Sequence, residues 1–165
     1  MKKRIAIFFA AFSLIIAFSA CTSLPKRGSP DDCLIVMKTI TVNNTAYPSN
    51  MRSYFLKLSA GYGSVKIGKD YTAFIIQKPC VEILSLTTYV SGSATGDHGR
   101  CDVLAMLPYN PGHAAVLSTA FEQTISEHGP DGVMSSVRFR ELEDSEFKEF
   151  IAELRKDPAF SDWEF

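Results

Sequence analysis

From Cys33 onward, apolar and polar residues alternate in short runs broken by glycine, proline and asparagine, which is the pattern of β-strands rather than helices. Cys33 to Val42 (Cys-Leu-Ile-Val-Met-Lys-Thr-Ile-Thr-Val) is apolar, β-branched and partly alternating, and predicts a first strand that Asn43-Asn44-Thr45 breaks. Pro48 and Asn50 continue that loop. Tyr54 to Ser59 places Tyr54, Leu56 and Leu58 on one face and Phe55 and Lys57 on the other, and Ala60-Gly61-Tyr62-Gly63 turns the chain. Further strands are expected at Ser64 to Ile67, Tyr71 to Gln77, Val81 to Val90 and Asp102 to Leu107. The segment Ser91 to Arg100 carries no core-forming residue and predicts a long mobile loop. Pro108 to Gly112 predicts another turn.

Residues 113–128 admit two readings. Asn110-Pro111 and Gly129-Pro130 bracket Leu117, Phe121 and Ile125 at helical spacing. Gly129-Pro130-Asp131-Gly132 is also a strong turn between two alternating stretches, Phe121–Ser126 and Val133–Glu141. The turn favours a hairpin. At the end of the chain, Asp144 is expected to cap a helix with Phe147, Phe150, Ile151 and Leu154 on one face and charged residues on the other. Pro158 stops it, and Phe160, Trp163 and Phe165 form an aromatic end expected to pack back on the domain. Short strands and turns followed by one helix predict a mostly-β domain, a small antiparallel sandwich that loosely looks immunoglobulin-like, with one C-terminal α-helix. Such architecture grants no function by itself.

The start of the chain has a different pattern. Lys2, Lys3 and Arg4 precede an apolar run from Ile5 to Phe18 that only Ser13 interrupts, and Ser19, Ala20 and Cys21 follow. The run is shorter than the roughly 20 residues of a spanning helix and is followed by a polar stretch. Simple secretion prefers a small-x-small ending, which Phe18-Ser19-Ala20 lacks. Phe18-Ser19-Ala20-Cys21 resembles the lipobox of bacterial lipoproteins, with Phe18 where that class usually has Leu. The resemblance covers the leader and the cysteine only. It implies a cleaved signal peptide over 1–20, lipidation of Cys21, a membrane partner reached through that lipid, and a place in the cell envelope. Thr22, in place of the aspartate that retains such proteins at the inner membrane of enteric-type bacteria, implies transfer to the outer membrane.

Residues 21–32 are then expected as a lipidated, flexible tether rich in Pro, Gly and Ser, and 33–165 as one β-rich domain. Cleavage after residue 20 leaves 145 of the 165 residues, enough for one core. Without the three leader cations, 14 basic residues face 18 acidic ones, which leaves no basic stripe and excludes nucleic-acid binding by charge. Cys33, Cys80 and Cys101 remain; export permits a disulfide, with Cys80–Cys101 favoured and Cys33 a competitor.

Candidate chemistry is sparse. Asp97, His98 and Cys101, with His113 and His128 further on, lack the paired spacing of a zinc site and any context of a thiol hydrolase. Glu141, Glu143, Asp144 and Glu146 form an acidic run that a helix start explains. Gly61-Tyr62-Gly63-Ser64 lacks the lysine of a phosphate loop. Tyr47, Tyr54, Tyr62, Tyr71, Tyr89 and Tyr109 suit strand packing more than a binding patch. No catalytic, metal or cofactor residue is assigned. The expectation is a non-catalytic lipoprotein that binds or scaffolds an envelope protein or ligand, against the alternative of an envelope enzyme acting on cell-wall or lipid substrates.

Overall fold

The computed structural model describes residues 24–44, 52–58, 64–66, 70–90, 98–128 and 132–165, with the backbone alone at 52–56, 58, 64–66, 88–90, 98, 128, 132 and 133. Nine strands, one α-helix and a short 3-10 helix, Pro158–Phe160, lie among them: β1 Cys33–Asn43, β2 Arg52–Leu58, β3 Ser64–Lys66, β4 Tyr71–Ile76, β5 Cys80–Val90, β6 His98–Leu107, β7 Ala114–Val116, β8 Thr119–His128, β9 Gly132–Glu141 and α1 Asp144–Leu154. They form two sheets. One runs β4-β1-β8-β9 with β7 also on β1, and the other runs β3-β2-β5-β6. The expected β-sandwich with a C-terminal helix is the observed architecture.

Strand β1 organises both layers. Cys33, Leu34, Ile35, Val36 and Met37 are fully buried in succession. Cys33, Ile35 and Met37 face the second sheet and meet Phe74, Ile76, Leu84, Leu86, Leu107 and Phe121. Leu34 and Val36 point the other way, into a second cluster with Phe150, Leu154, Phe160 and Trp163. The helix and the aromatic end therefore cover the outer face of the first sheet, giving three layers. Rings close that cover, with Phe160 5.2 Å from Tyr71 and 5.6 Å from Phe165 between centroids.

The sandwich is not wholly antiparallel. β1 pairs antiparallel with β4 but parallel with β7 and then with β8. Leu34 faces Ala114 while Thr39 faces Phe121, so two extra residues enter between β7 and β8, where Leu117 N–H still reaches Val36 O at 2.9 Å. Residues 119–128 and 132–141 pair antiparallel from Thr119–Glu141 to His128–Gly132, so the hairpin is correct and the helix is not. The connecting residues 129–131 lie outside the described residues, as do Thr45, Pro48, Asn50 and the turn 60–63.

Four expectations need correction. His98–Arg100 were assigned to the loop 91–100, yet they belong to β6, opposite Thr87–Tyr89. A Cβ on Gly99 would stand 2.7 Å from Ser135 O, so only glycine lets β6 approach the β9 backbone this closely. Cys80 faces Leu107 while Cys101 faces Leu86. Six residues of strand separate the two, roughly 20 Å, whereas a disulfide needs Cα atoms within about 7 Å. Cys33, Cys80 and Cys101 are free thiols. The cap of α1 is Glu143, one residue before Asp144. Its backbone is extended, its carbonyl accepts from Phe147 N–H at 2.9 Å, and its own N–H donates to Glu146 at 3.3 Å. Finally, the described part of the tether, 24–32, is docked on the domain, as detailed below.

Polar contacts lock the helix to the outer face. Glu122 of β8 is buried and accepts from Arg138 Nε at 2.7 Å, with Arg140 Nε at 3.1 Å. Arg140 also holds Glu146 of α1 in a two-point bond of 2.8 and 3.0 Å. The Arg140 bond pushes the Glu146 carboxyl from 4.5 down to about 2. Between those values the unfolded chain binds the extra proton, so stability rises with pH there. The contribution is complete above the unfolded value and lost as pH falls to about 2. Denaturant titrations from pH 2 to 6 are expected to show this acid-side slope, and Glu146→Gln is expected to flatten it. Ile35→Ala removes a side chain buried between the sheets and is expected to cost about 2–5 kcal/mol in the same measurement.

Candidate functional site

Where β6 leaves β9, the two sheets part. Near Gly99 their backbones touch, but further along β6 the side chains are too small to fill the gap. A cleft of about 430 Å³ opens there, walled by Met37, Leu84, Val103, Ala105, Leu117 and Phe139, with Leu104 and Met106 at its rim. Its polar side chains are Thr119 and Glu141, the latter the last residue of β9. Thr119, its partner across the ladder, donates from Oγ1 at 2.6 Å, and Ser118 donates from Oγ at 2.8 Å. These hydroxyls, Thr119 first, hold the carboxyl below the usual glutamate range. It remains an anion and an acceptor at neutral pH. A general acid or base needs the opposite shift, toward the working pH. A cleft of a few hundred cubic ångströms that is apolar along Met37, Leu84, Leu117 and Phe139 and polar at Thr119 and Glu141 offers a small ligand both kinds of contact.

The second feature is on the outward face of the β5–β6 ladder. Val81 pairs with Met106, and Ile83 with Leu104. All four are exposed, at 54% and 82%, and 46% and 70%. They form one aliphatic patch rather than scattered surface residues. Beside it, Pro79, Cys80, Leu107, Pro108 and Tyr109 line an open depression that also includes Val81 and Met106. On the same strand, alternate residues Glu82, Leu84 and Leu86 turn inward, and Glu82 is fully buried.

The third feature is the segment 24–32. Asp32 is 2% exposed. Its Oδ2 accepts from Gly28 N–H at 2.7 Å and Ser29 N–H at 2.8 Å, and its Oδ1 from Gln77 Nε2 at 2.8 Å. The Gln77 bond is the largest cause that holds its carboxyl below the ordinary value. Asp32 O accepts from Gly112 N–H at 2.8 Å. The Tyr109 hydroxyl lies 3.0 Å from Asp31 O and 3.1 Å from Gln77 O, with one proton for the two. Leu24 packs on the helix-side cluster. Gly112 has φ of +83°, and a Cβ there would meet the Arg27 guanidinium at 2.9 Å.

The residues singled out from the sequence do not converge. Cys21 and Asp97 lie outside the described residues, and His98 and His128 are described by backbone alone. They stand at opposite termini of β6 and β8 from Leu107 and Thr119. His113 meets an acid, Glu164, at 3.2 Å, but on the surface rather than in a cleft. Cys101 faces Leu86 in the ladder. Burial pushes the Cys33 and Cys80 thiols up, which keeps them protonated and weak nucleophiles. Among the described residues no three His, Cys, Asp or Glu side chains are grouped to hold a metal ion. Tyr71 and Tyr109 are half-buried and hydrogen-bonded, Tyr47 and Tyr62 lie outside the described residues, Tyr54 and Tyr89 are described by backbone alone, and among the described residues the exposed large apolar ones are Val42, Val81, Ile83, Leu104, Met106 and Met134, all aliphatic. Glu141 was visible in the acidic run. Its separation from Glu143, Asp144 and Glu146 was not, because β9 ends on it and α1 starts after it.

No protein-family model matches this chain, and no curated protein or solved structure is detectably similar to it. The site rests on its own geometry.

Replacing Thr119 with Val removes the shortest bond to Glu141. The carboxyl is expected to titrate higher in Thr119→Val than in the parent chain, read by NMR on the glutamate side chains. An unchanged midpoint would show that the hydroxyls do not set it.

Proposed function

We propose that this chain is an exported lipoprotein, held to the membrane by acyl chains on Cys21, whose sandwich binds an envelope component without transforming it. The observation that carries the reading is the order of residues at the start of the chain: Lys2-Lys3-Arg4, the apolar run to Phe18, then Ser19-Ala20-Cys21. A cationic start, an apolar segment too short to span and a thiol after two small residues are the requirements of export followed by lipid attachment. Two or three acyl chains on one residue hold a domain far more firmly than one, since each buried CH₂ contributes about 0.8 kcal/mol.

The cleft between the sheets supports the binding half of the reading. Its walls are mixed, apolar at Met37, Leu84, Leu117 and Phe139 and polar at Thr119 and Glu141, and Glu141 is an ionised acceptor already oriented by two hydroxyls. The matching ligand has an apolar body and a donor or cationic group at one end, a description that fits amphiphiles of the envelope. Glu141 is held below the usual glutamate range, which supports binding over proton transfer.

Labelling with a tagged fatty acid is expected to mark the parent chain and not Cys21→Ala. An unmarked parent with its leader intact would end the lipoprotein reading. Mass spectrometry of the chain purified from its own membranes is expected to find a co-purifying amphiphile. Ala105→Phe fills the cleft and is expected to weaken its retention at least about tenfold, equivalent to 1.4 kcal/mol, with an unchanged melting temperature. Equal retention in the filled variant would remove the cleft from the function.

A further inference from the structure

Strand β6 ends its sheet with one edge unoccupied. It pairs with β5 through ten consecutive residue pairs, from Cys80–Leu107 to Tyr89–His98. Among the described residues no strand lies on its other side. In an antiparallel ladder, successive residues turn their N–H and C=O alternately toward the partner strand and away from it. Every second residue of β6 therefore presents both backbone groups to the free edge. Native proteins commonly blunt such an edge with lysine, proline or a bulge. From Cys101 to Leu107 the sequence Cys-Asp-Val-Leu-Ala-Met-Leu has neither residue, and the one-to-one register leaves no bulge. Its one charge, Asp102, is engaged by Arg100 in a two-point bond of 3.2 and 3.0 Å.

Both faces beside this edge are open as well. Outward, Leu104 and Met106 stand exposed. Inward, Val103 and Ala105 are too small to close the cleft, which runs up to β6 from Val103 to Met106. A strand laid along β6 would continue the ladder, rest alternate side chains beside Leu104 and Met106, and send the others into the cleft mouth. Glu141 waits there. It is exposed and ionised at neutral pH, and among the described residues its carboxylate has two hydroxyls and no cation. A second copy of β6, paired antiparallel in one continuous sheet, does not match this anion. Its cleft-facing residues would be Cys101, Val103, Ala105 and Leu107, none of them basic, and its Arg100 would lie on the outward face beside Asp102.

We propose that the free edge of β6 accepts an extended segment of another protein as an added strand, with apolar side chains on both faces and a lysine or arginine that meets Glu141. The proposal shares with the cleft reading the role of Glu141 as a binding group, and it does not need the lipid anchor. A strand on the edge and an amphiphile in the cleft would meet the same carboxylate, so each excludes the other.

The test uses the full chain, freed of bound amphiphile by detergent exchange, and fluorescent seven-residue peptides. Each peptide carries valine at alternate positions, with the positions between varied through all residue types. Peptides with lysine or arginine at one cleft-facing position are expected to bind about threefold better than those with glutamine there, and Glu141→Gln is expected to erase that preference. The best binder is then N-methylated on alternate residues, in each of the two phases. One phase removes the amides that point to β6 and is expected to weaken binding at least about tenfold, whereas the other alters only amides that point to solvent and is expected to leave it unchanged. Equal binding of the two phases overturns the proposal, because side chains alone would then account for it. So does a basic preference that survives Glu141→Gln, and so does a chain that sediments as a dimer and takes up no peptide, because the edge then belongs to a second copy. Amphiphile retention that depends on Ala105, with no peptide bound in either phase, ends this inference and leaves the cleft reading. A peptide bound in one phase only, by a chain that retains no amphiphile, ends the amphiphile reading and leaves this one.

Discussion

Burial of β1 on both of its faces is the constraint that places every other element. Five consecutive residues, Cys33 to Met37, have no contact with solvent. A strand with one wet face cannot do this, because successive side chains point to opposite sides. The second sheet covers one side and α1 with the aromatic end covers the other. Both edges must also be occupied, since an unpaired backbone amide in this position would have no water. β4 takes one edge, and β7 with β8 takes the other. Each buried side chain of this kind contributes about 1.5–3 kcal/mol, so β1 is where the layers are held together.

Strand β9 divides two tasks by the same alternation. Arg138 and Arg140 face outward, where Glu122 receives both and Arg140 also holds Glu146. Phe139 and Glu141 face inward. Phe139 packs on Phe121 at 4.9 Å between centroids, and Glu141 stands at the cleft under Ser118 and Thr119. One strand therefore carries the bond that docks the helix and, one residue on, the carboxylate of the candidate binding site. Ionised Glu141 and Glu146 share a cause, hydrogen bonds that favour the charged form, but they serve different layers.

The docked segment 24–32 forms a strap across one end of this framework. Asp32 precedes β1 directly, and its bonds to Gln77 and Gly112 fix the start of that strand to the β4–β5 and β6–β7 connections. Asp32 also ties the segment to itself through Gly28 and Ser29.

Much of the fold was legible in local pattern. The strand from Cys33, the strands at 71–76 and 80–90, the hairpin across 129–132 and the apolar face Phe147, Phe150, Ile151 and Leu154 all follow from periodicity and turn residues, because these depend on neighbours in sequence. The leader and Cys21 are likewise a local signal, and the proposed location rests on it alone. What local pattern lacks is which face of a strand meets which layer. In Cys80 to Leu86 both alternations look apolar, and only packing decided that Glu82, Leu84 and Leu86 turn inward while Val81 and Ile83 stay outside. Residues 24–32 read as a loose tether because their bonds are to Gln77, Tyr109 and Gly112, far along the chain. Cys80 and Cys101 looked pairable until strand register set them six residues apart. The amino-acid order by itself determined the β character and the terminal helix, and it alone carries the pattern on which the proposed leader rests. Tertiary structure alone decided the parallel seam, the cleft at Glu141 and the docked strap, since each is a contact between residues that no sequence window contains.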